Sequence, residues 1–140
     1  MRILLAVDGS PYTQKILDYL AAHAEWLTPN HHYTALTVQP LLPPRAAKAL
    51  GKALVDDYHS EEAQKVLLPV QEFLAAHQVT AVAESAVGPI SQTIAETADG
   101  GGYDLLIMGT RGHGGLAKLV MGSVATQVLA ESKLPVLLIR

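Results

Sequence analysis

The residues whose types and spacing could do chemistry cluster near the end of the chain. Gly109-x2-Gly112-x9-Gly122-Ser123 runs through "IMGTRGHGGLAKLVMGSVA", Ile107 to Ala125, between two apolar runs. A helical pattern begins near Ser123. A helix N-terminus presents unpaired N–H groups and a partial positive charge, and both favour phosphate. Gly122 would let the backbone approach a phosphate closely, and the Ser123 hydroxyl can donate to a phosphate oxygen. A plainer reading stands beside this one: Ser123 caps the helix and Gly122 turns the chain. Arg111 is the obvious neutraliser of phosphate charge, and Lys118 is a weaker second. His113, in the same stretch, is either an exposed loop residue or a group that touches phosphate or moves a proton. Near the start, Asp8 in "VDGS" has two readings as well. It closes a strand-to-helix turn on backbone N–H groups. Alternatively Ser10 is the cap, and the Asp8 carboxylate is left for ribose hydroxyls or for Mg²⁺ accompanying the phosphates.

These residues need elements to hold them. Five short apolar runs read as strands: Ile3 to Val7, Tyr33 to Val38, Val79 to Val87, Leu105 to Met108 and Val136 to Ile139. The first, fourth and fifth are nearly continuous apolar, as in strands buried on both faces of a parallel sheet. Helical patterns lie between them. Ser10 and Pro11 give an N-cap and a first-turn proline, and Ile16, Leu17, Leu20, Ala21, Ala24 and Leu27 follow one face. A second helix uses Ala63, Val66, Leu67, Val70, Phe73 and Leu74. Pro69 lies inside it, and an interior proline kinks or breaks a helix, so a bend is expected near Leu68. A third helix runs from about Pro89 to Ala98, and a fourth follows Ser123. The proline-rich "QPLLPP", Gln39 to Pro44, is expected to continue as a variable connection to about Asp56. Alternating strands and helices imply right-handed crossovers and a three-layer α/β/α sandwich. With strand order 3-2-1-4-5, the ligand crevice lies beyond the carboxyl ends of strands one and four. The Asp8 turn and the glycine stretch both emerge there.

The totals limit the possibilities further. The 140 residues, 49% apolar and 16% charged, suit one globular domain with a substantial core. A net charge of −3 argues against a nucleic-acid footprint, which needs clustered Lys and Arg. The chain has no cysteine, so disulfides, thiol catalysis and thiolate metal sites are excluded. No apolar run approaches the ~20 residues that span a bilayer, and "MRILLAVDGS" reads as a strand rather than a signal peptide. A soluble, cytoplasmic protein with no membrane partner is the expectation.

Competing motifs are weaker. There is no Walker A loop, because Gly51-Lys52 precedes Ala53 and no glycine lies five residues upstream. Gly112-His-Gly114-Gly115-Leu-Ala117 fits the loose dinucleotide pattern, but it follows the fourth strand, and no strand ending in an acid comes about 20 residues later. Adjacent side chains on a strand face opposite ways, so His31 and His32 cannot easily share a metal. His23, His59 and His77 read as surface helix residues. Asp56-Asp57 and Glu61-Glu62 favour a helix start by charge.

The sequence resembles the universal stress protein family across essentially all of its length, as a single-domain member. The spacing Gly109-x2-Gly112-x9-Gly122-Ser123 matches that family's nucleotide-binding pattern. "ILLAVDGS" resembles its first strand and acidic turn, and Asp104 to Arg140 resembles its C-terminal third. The stretch from Gln39 to about Glu84 is similar mainly in pattern. The resemblance implies a Rossmann-like, ATP-binding fold. Asp8 would lie near the ribose or phosphates, and backbone around Val38 would meet adenine. Gly109, Arg111 and Gly112, following Met108 at the strand end, would line ribose and phosphates. Gly122, Ser123, Val124 and Ala125 would hold phosphates at the helix start. It also implies a regulatory stress-response protein with at most slow ATP hydrolysis, and a homodimer. The apolar fifth strand would be an edge, which invites antiparallel pairing with a second copy. Other readings stay open: a true ATPase or nucleotidyl-transfer enzyme, or a partner-interaction module. Hydrolysis needs a positioned water and a group to orient it, and no residue except His113 suggests itself.

Overall fold

The computed structural model describes residues 1–114 and 120–140. Five strands, β1 (Arg2–Ala6), β2 (His32–Gln39), β3 (Ala81–Val87), β4 (Leu105–Gly109) and β5 (Val136–Ile139), form one sheet. Every pairing is parallel and the order is β3-β2-β1-β4-β5, the predicted one. Among the described residues five α-helices accompany it, α1 (Pro11–Ala22), α2 (Pro44–Leu50), α3 (Lys52–Ala76), α4 (Ile90–Gly100) and α5 (Ser123–Glu131), with a short 3₁₀ turn at Ala24–Trp26. Side chains alternate across a strand, so β1 feeds two cores. Ile3, Leu5 and Val7 pack with Ile16 and Leu20 of α1 and Val70 and Leu74 of α3. Leu4 faces the other way and packs with Leu36, Leu106, Ile94 and Val128. The result is the expected α/β/α sandwich.

The central strands β1 and β4 are buried nearly throughout, which explains their unbroken apolar sequence. β5 is the sheet edge that the strand order predicts, and Val136, Leu137 and Leu138 are only half-buried, so its apolar run does not come from burial on both faces. The other edge, β3, is more exposed still, and Val82 faces solvent.

The middle of the chain corrects three expectations. The stretch from Gln39 to Asp56 is not one irregular connection. Pro44 sits in the first turn of α2, where its fixed φ and missing N–H cost nothing. Gly51, at φ +80°, separates that helix from α3. α3 therefore begins at Lys52, and Asp56, Asp57, Glu61 and Glu62 lie inside it rather than at its start. Pro69, beside which a bend is expected, lies inside this one helix. Val70, Leu67 and Leu74 hold both sides of the proline in the core, and this tertiary packing outweighs the lost hydrogen bond. Finally, His59 is not a surface residue but is only 8% exposed. His23 stacks on Tyr19, and His77 lies against Phe73.

Candidate functional site

The turn after β1 is built from its own side chains. Gly9 takes φ +76°, a left-handed conformation that glycine adopts without steric cost. Asp8 Oδ1 accepts from the Ser10 amide at 2.9 Å and from the Thr13 hydroxyl at 3.3 Å. Thr13 Oγ1 in turn accepts from the amides of Asp8, 3.2 Å, and Gly9, 3.0 Å. Ser10 Oγ accepts from the Tyr12 amide at 3.2 Å, as the predicted cap. The orphan donors at the start of α1 are thus largely satisfied within the turn. One carboxylate oxygen of Asp8 thus closes the turn, and the other, Oδ2, faces Gly112, where a Cβ would collide with it. His113 Nε2 lies 2.9 Å from the Asp8 carbonyl oxygen. A carbonyl only accepts, so Nε2 donates, and this bond ties the start of the glycine stretch to the β1 turn.

The start of α5 is the opposite case. Its N-cap is Gly122, which has no side chain to take the first-turn amides, and Ser123 is the first helical residue. The plainer reading of Ser123 as the cap therefore fails, and its side chain stays exposed. The amides of Ser123, Val124 and Ala125 have no intrahelical acceptor. The Gly122 amide itself donates to the Thr110 carbonyl at 2.7 Å, and the Thr110 amide to the Ile139 carbonyl at 2.8 Å. These bonds bring the two ends of the glycine stretch together above β4.

The two constructions face one cavity of about 620 Å³ at the carboxyl ends of β1, β2 and β4, within the usual range for small-molecule sites. All ten residues singled out in the sequence line it: Asp8, Val38, Met108, Gly109, Arg111, Gly112, Gly122, Ser123, Val124 and Ala125. Its lining combines apolar side chains, Leu36, Val38 and Ile94 among them, with Asp8, Arg111, the glycines and the start of α5. The Arg111 guanidinium lies 5.3 Å from the centroid of the Tyr12 ring, within cation–π range. Gly109 is small because α1 requires it: a Cβ there would come 2.6 Å from Tyr12 Cβ.

Sequence reasoning missed several lining residues. Thr13 and Tyr12 had a signal, since both fall in the first turn of the helix that begins at the crevice. Gln39 and Pro40 had a weaker one, at the end of the second strand. Tyr58, Glu62 and Val66 of α3 reach the cavity only through the tertiary fold, and nothing local announces them. Lys118, and the Gly115 and Ala117 ends of the dinucleotide pattern, lie outside the described residues. His31 Nδ1 lies 3.3 Å from the terminal amine. Among the described residues no three His, Cys, Asp or Glu side chains group as a metal site, and no helix is long and apolar enough to cross a membrane.

The model of the universal stress protein family matches residues 1–140. The chain belongs to that family. A universal stress protein of Synechocystis is 32% identical over 140 residues, 99% of this chain, which spans 42% of that longer relative. A universal stress protein of Thermus aquaticus is 31% identical over 141 residues, covering 99% of this chain and 97% of its own length. The universal stress protein UspA from Lactobacillus plantarum shares the fold, with TM-score 0.78 and 22% identity over 100% of this chain and 97% of that one. Two further universal stress proteins of this fold were solved with nucleotides. The Arabidopsis thaliana protein holds AMP, with TM-score 0.65 and 18% identity over 99% of this chain and 90% of that one. The Archaeoglobus fulgidus protein is in complex with dAMP, with TM-score 0.66 and 22% identity over 100% of this chain and 98% of that one.

Proposed function

We propose that this universal stress protein binds an adenine nucleotide in the crevice, with Mg²⁺-ATP as its ligand, and acts as a nucleotide-dependent regulator with at most slow hydrolysis. The observation that carries the reading is the contrast between two helix starts on one cavity. The start of α1 is filled by Asp8, Ser10 and Thr13, whereas that of α5 has a glycine cap and open amides. Phosphate therefore belongs on α5, against Gly122, Ser123, Val124 and Ala125, with Arg111 supplying countercharge. The apolar lining around Val38 suits a base, and relatives of the fold that hold AMP and dAMP support adenine. Mg²⁺ bound with a nucleotide usually takes one or two carboxylates beside the phosphates. Asp8 Oδ2 fits the first, and Glu62 is a second carboxylate on the cavity wall. When bound, the ion would neutralise phosphate charge. Hydrolysis would also need an oriented water, and the His113 ring nitrogen not engaged by Asp8 is the one candidate. In assembly, we place a second copy against the free edge of β5, as an antiparallel two-fold pair; sedimentation velocity of the full chain reads this directly.

The test is thermal unfolding with and without Mg²⁺-ATP, ADP, AMP and cyclic AMP, beside Gly122→Val and Ser123→Ala. Ligand at a hundred times its dissociation constant adds about 2.7 kcal/mol, on the order of 10 °C for a domain of this size. The parent should shift by that amount and Gly122→Val should not. If no nucleotide moves the midpoint of nucleotide-free protein, the crevice is not an adenine nucleotide site. Multiple turnovers, lost in His113→Ala with binding retained, would favour the enzyme reading instead.

A further inference from the structure

Tyr58 of α3 stands on the wall of the crevice and is 44% exposed. Its orientation is set by two residues next to it. The His59 ring meets the Tyr58 ring in a T-shaped pair, with centroids 5.4 Å apart and planes at 63°. His59 is buried and is held by Gln39, the last residue of β2. Gln39 Nε2 donates to the His59 carbonyl oxygen at 2.7 Å. A carbonyl can only accept, so the amide orientation of Gln39 is fixed. Its oxygen then lies 3.0 Å from His59 Nδ1, and Nδ1 donates to it. The backbone of Gln39 is anchored as well, because its carbonyl accepts from the Gly88 amide at 2.9 Å. A continuous line of contacts thus runs from the sheet through Gln39 and His59 to Tyr58. No side chain from position 41 to position 58 is buried, so His59 is the first point at which α3 grips the core.

The topology decides which part of a ligand meets this ring. α3 packs on β2 and β3, whereas α5 starts above β4, and β1 lies between β2 and β4. Neighbouring strands are about 4.8 Å apart, so the two sides are separated by roughly 10 Å. A nucleotide with its phosphates on α5 bridges that distance and brings its base to the end of β2, where Tyr58 stands. We propose that Tyr58 is the base-contacting platform of the crevice, and that Gln39 and His59 are positioning residues that act through it. This rests on the nucleotide reading above. A base packed on an aromatic ring gains about fivefold or more in affinity. The gain favours no particular base, because every base has a flat π-face. Tyr58 therefore separates nucleotides from other phosphate compounds, and it does not separate adenine from guanine.

The full chain, labelled with ¹³C at tyrosine, is titrated with AMP, Mg²⁺-ATP and Mg²⁺-tripolyphosphate, with affinities read by calorimetry. The Tyr58 ring signal is the one missing from Tyr58→Phe. It should move to higher field with either nucleotide, show a nuclear Overhauser contact to the base protons, and stay in place with tripolyphosphate. Tyr58→Ala, at an exposed position, should weaken AMP and Mg²⁺-ATP by the same factor, about fivefold or more, and Tyr58→Phe should bind as the parent does. His59→Leu should weaken both nucleotides in the parent and add nothing in a Tyr58→Ala background, because a positioning residue acts only through the ring it holds. Nucleotide binding with the Tyr58 signal unmoved, or undiminished in Tyr58→Ala, would overturn the platform and leave the nucleotide reading standing. Equal losses from His59→Leu in both backgrounds would overturn the positioning role. Absence of any nucleotide binding to the parent would overturn both readings together.

Discussion

Two glycines on the crevice should respond oppositely to the same added methyl. At Gly109 a Cβ would stand 2.6 Å from Tyr12 Cβ and 3.0 Å from the Arg111 carbonyl oxygen. Neither neighbour is the far end of a flexible side chain, so α1 or the strand end must move. Overpacking of this kind costs about 1–3 kcal/mol. At roughly 2.1 cal/mol/K per residue of unfolding entropy, that lowers Tm by about 3–10 °C. At Gly122 the nearest atoms to a new Cβ lie at 3.5, 3.5 and 3.7 Å, which is ordinary contact. The backbone there, φ −80° and ψ 171°, is extended and open to alanine. Reduced chain freedom in the unfolded state contributes about 0.4–1 kcal/mol in favour of alanine, against a similar loss of N-cap preference. Gly122→Ala should therefore fall within about 0.5 kcal/mol of the parent. The assay is reversible urea unfolding of both variants without nucleotide. Equal, large losses in both would refute the reasoning, because Gly122 would then be small for the sake of the protein's own packing and not for a ligand.

Other outcomes follow from single features. Removing the α1 cap with Ser10→Ala should cost about 1 kcal/mol in the same unfolding assay. Pro69→Ala returns an N–H to the middle of α3 and should raise stability by about 1–2 kcal/mol, somewhat less than the ~3 kcal/mol an interior proline usually costs. The Tyr33 hydroxyl, held by burial and donating to the Trp26 carbonyl at 2.6 Å, has its pKa pushed up to about 12. The folded state keeps the proton that the unfolded chain releases above pH 10. Stability from this group is thus complete below pH 10 and declines as pH rises towards 12, and Tyr33→Phe should lessen that decline in unfolding curves at pH 9 to 12. Asp99 is the acidic mirror image. Bonding from the Ser132 hydroxyl and the Lys133 amide holds its pKa below the ordinary carboxylate value. Its contribution is present at neutral pH and lost as pH falls through the carboxylate range, so Asp99→Asn should show a shallower acid limb.

The sheet was legible because burial on both faces leaves β1 and β4 unbroken apolar runs, and because Ser10-Pro11 and Ser123 mark helix starts. The glycine side of the cavity was legible for a related reason: Gly109 and Gly112 stand where a Cβ would meet Tyr12 and Asp8, and such close approach writes glycine into the sequence. What the sequence concealed was set by distant contacts. That one helix extends from Lys52 through Pro69 to Ala76 follows from Leu67, Val70 and Leu74 packing on both sides of the proline. His59 reads as one polar residue among many on an acidic helix, and only its packing against Gln39 shows that it is interior. Ser123 reads as a cap because its type is right, but the cap position falls one residue earlier, on Gly122.

The hydrogen bond between the Gly122 amide and the Thr110 carbonyl has an evolutionary meaning. It fastens the two ends of the glycine stretch to each other, so the anchor does not depend on how many residues lie between them. Both partners of that bond are backbone groups, so it survives any side-chain exchange at either end except a proline at position 122, which would remove the donor. The joint between β4 and α5 is thus inherited through the course of the backbone rather than through any one side chain.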